Sequence, residues 1–150
     1  MANELTVLRA VRDIVEAGDY GLDIQAYHVR PDDLQGDFMR YPPFVTVGLS
    51  EDSEMVFDYL SLSTQSSVYT VAVRFYLEEG LTEPGTARFL RLEECKRVIV
   101  EELVTLLFAE PGLSGTAIQT GARTAGVAYL YLREKEYTGV MLEFPVLQEV

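Results

Sequence analysis

Apolar residues recur at helical spacing in two stretches of this chain and alternate with polar ones in several others. Over residues 4–17, Leu5, Leu8, Val11, Ile14 and Val15 fall on one side, with Arg9, Arg12, Asp13 and Glu16 on the other, which predicts an amphipathic helix. Asn3 can cap its start and Gly18 can stop it. Residues 24–30 predict a short strand. Residues 31–43 read as a loop, with Pro31, Gly36 and the Pro42-Pro43 pair; adjacent prolines have no backbone donors, which suits a chain entering a sheet at its edge.

Alternation then takes over. Residues 44–50 place Val45, Val47 and Leu49 on one face. Residues 55–60 do the same with Met55, Phe57 and Tyr59, and the polar Glu51-Asp52-Ser53 between them predicts a hairpin. Residues 67–78 form the strongest strand. Tyr69, Val71, Val73, Phe75 and Leu77 make an unbroken apolar face opposite Thr70, Ala72, Arg74 and Tyr76, so the sheet is expected to be covered more on one side than the other.

The period changes to that of a helix over 87–109. Phe89, Leu92, Cys95, Ile99, Leu103, Leu106 and Leu107 form a stripe that Val100 and Val104 widen. Glu93, Glu94, Arg97 and Glu101 lie opposite, and Glu93 with Arg97 has i,i+4 spacing. Thr82 or Thr86 can cap this helix, and Pro111-Gly112 ends it. Residues 112–126 are glycine-rich, with a weak strand at 116–120 as one reading and a loop as the other. Two clear strands follow at 127–133 and 137–146; in the second, Val140, Leu142, Phe144 and Val146 face one way. The expected fold is α+β, a mostly antiparallel sheet with an N-terminal helix and a long central helix packed on one face. Its 150 residues suit a single domain.

Composition narrows the function. With 48% hydrophobic and 24% charged residues the chain is a folding one. Twenty-four acids against 12 bases leave a net charge of −12. No basic run exists to hold phosphates, which argues against a DNA-coating role. The opening residues lack a basic segment followed by an apolar stretch, so no signal peptide is expected. No apolar run is long enough to span a membrane, and folding in a cytoplasm is the expectation.

Candidate chemistry is sparse. His28, the single histidine, has no partner that the sequence identifies for general-base work. Cys95, the single cysteine, falls on the helix stripe and reads as a core residue; one Cys and one His cannot make a structural zinc site. Residues 112–126 lack the lysine of a phosphate-binding P-loop, and they follow a helix rather than a strand, which excludes a dinucleotide fingerprint. Gly112-Leu113-Ser114-Gly115-Thr116 lacks the glycine two residues after serine that a nucleophile elbow needs. Asp32-Asp33, Glu51-Asp52 and Glu78-Glu79 lack EF-hand spacing and read as solvated turns. The expectation is therefore no enzyme, no cofactor and no metal. Nine tyrosines and seven phenylalanines without a tryptophan leave a share of aromatics for a protein–protein surface.

The layout as a whole resembles the tail terminator family of long-tailed bacteriophages. The likeness rests on four features. They are the opening helix, the strand entered through Tyr41-Pro42-Pro43-Phe44-Val45-Thr46-Val47-Gly48, the long strand leading into the central helix, and the closing strand Tyr137-Thr138-Gly139-Val140-Met141-Leu142-Glu143-Phe144-Pro145-Val146. This resemblance implies a virion subunit of a hexameric ring that caps the tail tube. Its partners would be further copies of itself, the tail tube protein and the neck proteins, with DNA only passing through. It carries no catalytic residues. Phe38, Met39, Tyr41, Val100, Val104, Leu113 and Ile118 are the candidate interface residues. The loop 32–41 and segment 112–126 are the expected exposed assembly elements, and Glu51-Asp52 with Glu78-Glu79 the expected channel lining. Another connector or tail-completion subunit, or a small-molecule-binding α+β domain, are the alternatives.

Overall fold

The computed structural model describes residues 4–29, 42–50, 56–59, 65–119, 124–132 and 135–149. Helix α1 (Glu4–Glu16) buries Leu8, Val11, Ile14 and Val15 of the predicted stripe together with Val7, while Leu5 is half-buried. Strand β1 (Tyr27–Val29) follows, then β2 (Phe44–Leu49), β3 (Val56–Tyr59), β4 (Gln65–Glu79), helix α2 (Ala87–Ala109), β5 (Ile118–Gln119), β6 (Thr124–Leu132) and β7 (Lys135–Glu149). Thr86, not Thr82, caps α2: its hydroxyl accepts from the Phe89 N–H at 3.2 Å. Thr82 instead donates its backbone N–H to the Thr138 hydroxyl at 2.8 Å.

The fold class is α+β, as the pattern predicts, and the seven strands form one mostly antiparallel sheet. Its centre is the antiparallel pair of the two longest strands, β4 and β7. Along the far side of β4 run β2 and then β3, both antiparallel to it. Beyond β2 lies β1, in the one parallel pairing among the described residues. Along the far side of β7 run β6 and β5. The expected hairpin of residues 44–50 with 55–60 is therefore incorrect. Alternation sets which face each strand buries but says nothing about its neighbour, and the fifteen-residue β4 is long enough to pair with β2 and β3 end to end.

Both helices cover one face. Ile99, Leu103 and Leu107 of α2 are buried with the α1 residues against Val45, Val47, Tyr69, Val71, Val73, Phe75, Val140, Leu142, Phe144 and Val146, and Leu92 is buried as well. Leu106 and Cys95 pack at the margin.

The opposite face departs from expectation. Ala72, Arg74 and Tyr76, predicted to line a half-open face, are buried there. Phe44 and Tyr76 stack with centroids 4.6 Å apart, and Tyr137 meets both edge-on. Leu130 and Leu132 complete this second cluster. Among the described residues no helix covers it; the sheet curls, so side chains on its inner face bury one another. Twist and curl accumulate over several strands and leave no mark on the alternation within any one of them.

Candidate assembly surfaces and a polar cavity

Of the residues proposed from the sequence for an interface, the described ones do not gather into one patch. Val100 and Val104 stand a turn apart on α2 and are half-buried. Val100 lines a shallow groove with Glu93, Lys96, Arg97, Glu101 and Ala125. Ile118, in β5 at the far end of the sheet, is 57% exposed. Leu113 must be removed from the set: it is fully buried in the main core. The turn after α2 puts Leu113, Ser114 and Gly115 at positive φ of 48°, 58° and 81°, which swings the leucine inward although two of the three carry a Cβ. Phe38, Met39 and Tyr41 lie outside the described residues, as do Asp32-Asp33 and Glu51-Asp52.

The charges of α2 and of the sheet end are also arranged differently from expectation. Arg97 pairs with Glu94 at 3.2 Å and Lys96 with Glu93 at 2.8 Å, both at i,i+3, in place of Glu93 with Arg97. Glu78 holds Arg88 at 2.9 Å and Glu79 holds Lys135 at 3.5 Å, so this pair is neutralised rather than a bare acidic lining.

Sequence reasoning missed a polar cavity on the inner face of the curled sheet. It measures about 200 Å³ and is lined by Ser50, Arg74, Tyr76, Met141 and Glu143, with Leu130 at one wall. Ser50 donates to Glu143 Oε1 at 3.3 Å, and Arg74 Nη2 donates to the Leu49 carbonyl at 3.3 Å. Arg74 is 4% exposed, a costly site for a guanidinium unless polar groups surround it. The available signal was an arginine at mid-strand between Ala72 and Tyr76. The cavity is smaller than the roughly 300–1,000 Å³ of ordinary ligand pockets. His28 lies in register with Thr46, four residues along β2 from Ser50, about 13 Å by strand rise, so these two do not form a nucleophile–base pair. Among the described residues no three His, Cys, Asp or Glu side chains are grouped to hold a metal ion. Among the described residues no helix is long and apolar enough to cross a membrane.

Burial pushes the Tyr20, Tyr69 and Tyr137 hydroxyls up from their ordinary range, with nearby charges adding to the effect: Glu102 beside Tyr20, Glu4 beside Tyr69 and Glu79 beside Tyr137. The Tyr20 hydroxyl donates to the Val15 carbonyl and the Tyr69 hydroxyl to Gln148 Oε1 at 3.0 Å. The native protein thus keeps protons that the unfolded chain loses near pH ~10. Stability from these groups is intact below that pH and falls as pH rises above it. In an alkaline titration, tyrosinate absorbance from the buried rings should appear together with loss of circular dichroism. Ionisation of every tyrosine near pH ~10 with the fold intact would contradict the assignment.

Compared with known proteins, the chain matches no family model and no curated sequence.

Proposed function

We propose that this chain is a structural subunit of a long-tailed bacteriophage virion: a tail terminator that forms a ring on the finished tail tube, ends its polymerisation and joins the tail to the head neck. The observation that carries the reading is the order of elements over nearly the whole chain. An amphipathic helix, a strand entered through Pro42-Pro43, a long central strand, a long helix and a long closing strand follow one another, the same order on which the family resemblance rests. A ring subunit needs two unlike sides for head-to-tail contact, and this sheet ends in unlike edges, β1 and β3 on one side and β5 and β6 on the other. A net charge of −12 suits a channel through which DNA passes without being gripped. In this reading the protein is not an enzyme, needs no cofactor, and is assembled in the bacterial host cytoplasm.

Sedimentation of the purified protein up to millimolar concentration, with electron microscopy of the same samples, provides the test. The expected product is a closed ring of six times the mass of the 16.8 kDa chain. A chain that stays monomeric throughout and forms no rings on the grid overturns the proposal.

A further inference from the structure

Strand β6 (Thr124–Leu132) leaves one edge of the sheet open. It pairs with β7 along all nine residues, and none of the described residues pairs with its other side. The ladder fixes which groups point outward. Glu136 offers its carbonyl to the Gly80 N–H across the β4 side at 2.7 Å, so in β7 the even-numbered residues turn their backbone groups toward β4 and the odd-numbered ones toward β6. In register with Tyr137, Gly139, Met141 and Glu143 stand Leu130, Ala128, Gly126 and Thr124, which are therefore bonded inward. Ala125, Val127, Tyr129 and Tyr131 turn their N–H and C=O groups away from the sheet.

Proteins ordinarily protect such an edge with lysine, proline or a bulge, because an open row of donors and acceptors recruits another strand. None of these devices is present in Thr124–Leu132, which carries no charged residue and no proline, and whose pairing to β7 is continuous. Valine and the two tyrosines favour the extended conformation, and Tyr129 and Tyr131 are 42% and 60% exposed. This composition fits an edge that is covered in use.

We infer that the β6 edge is where a second copy of this chain adds a strand, contributed by the opposite edge at β3 (Val56–Tyr59). Charge selects the position. Copies bearing −12 each repel one another, so close approach is least costly along a stretch without charge, and β6 is such a stretch. Geometry selects the partner strand. Successive copies joined by opposite edges of one sheet make a head-to-tail contact, the kind that closes into a ring, and β3, with four residues against the three of β1, is the longer of the two strands on that side. The inference rests on the ring reading above and names the contact that would build it.

Val127→Pro tests it. The Val127 N–H points outward, so proline there leaves the ladder to β7 complete and blocks only the open side. The variant should match the parent in circular dichroism and urea midpoint, and should need a concentration roughly tenfold higher or more to assemble, for the loss of one or more backbone hydrogen bonds and the added steric block. Residue-resolved hydrogen exchange on the parent is the companion measurement and does not depend on the variant folding. In dilute monomer the amides of Ala125, Val127, Tyr129 and Tyr131 should exchange fast while those of Gly126, Ala128 and Leu130 are protected; in the ring all should be protected. Rings whose outward amides still exchange fast, or a folded Val127→Pro chain that assembles like the parent, overturn the inference and leave the proposed function standing. A two-fold dimer through β6 also overturns it, because that contact closes at two copies. Failure of any assembly removes the ring reading and this inference together.

Discussion

Replacing Gly139 by alanine should separate the two central strands. Gly139 lies opposite Tyr76 beside the register shift between Tyr76 and Glu78, where β4 and β7 come unusually close. A Cβ added there would collide with the Phe75 carbonyl oxygen, with the Phe75 carbonyl carbon at 2.9 Å and a Leu130 methyl at 3.2 Å. The first two obstacles are backbone of the central strand and cannot rotate away. Overpacking against mobile side chains costs about 1–3 kcal/mol; against a fixed carbonyl the loss should exceed ~3 kcal/mol. Gly126→Ala is the control, since nothing lies within 4 Å of its added Cβ, and it should stay within about 0.5 kcal/mol of the parent. Urea unfolding of both variants decides the matter. Equal midpoints for Gly139→Ala and Gly126→Ala would show that the strands do not approach in this way.

The second large effect is expected at Leu103. It is fully buried on the inner side of α2, in one cluster with Val73, Phe75, Leu142 and Phe144. Leu103→Ala removes that side chain and leaves a void which the sheet, tied by its hydrogen-bond ladders, cannot collapse to fill. The expected cost is ~2–5 kcal/mol. Leu90 lies on the same helix but is 60% exposed; Leu90→Ala should change stability by no more than about 0.5 kcal/mol. A Leu103→Ala chain that melts with the parent would mean that α2 is rotated from the register described.

These two residues differ in how visible their roles are beforehand. Leu103 is marked by periodicity: with Leu92, Ile99 and Leu107 it falls on one side of a 3.6-residue repeat, and a helix has only one side to offer the core. The same reasoning places Val71, Val73 and Phe75, and Val140, Leu142, Phe144 and Val146, on a buried face, because strand side chains alternate strictly. Gly139 carries no such mark. It is one glycine among 11, and its necessity comes from the Phe75 carbonyl, a group more than sixty residues away in the chain.

What the sequence by itself determined is both helices, the longer strands and the apolar face that each turns to the main core, down to the bounds of α2, and with them the α+β class. These are local properties, set by the period of apolar residues and by capping and turn residues within a few positions. Tertiary structure decided that β2 and β3 lie end to end on β4, that the inner sheet face is buried around Arg74 and Glu143, that Leu113 turns into the core, and that β6 stands at an open edge. Each of these depends on which strand lies beside which and how far the sheet curls. Those quantities arise from contacts among distant segments, and the alternation within a strand is the same whichever neighbour it meets.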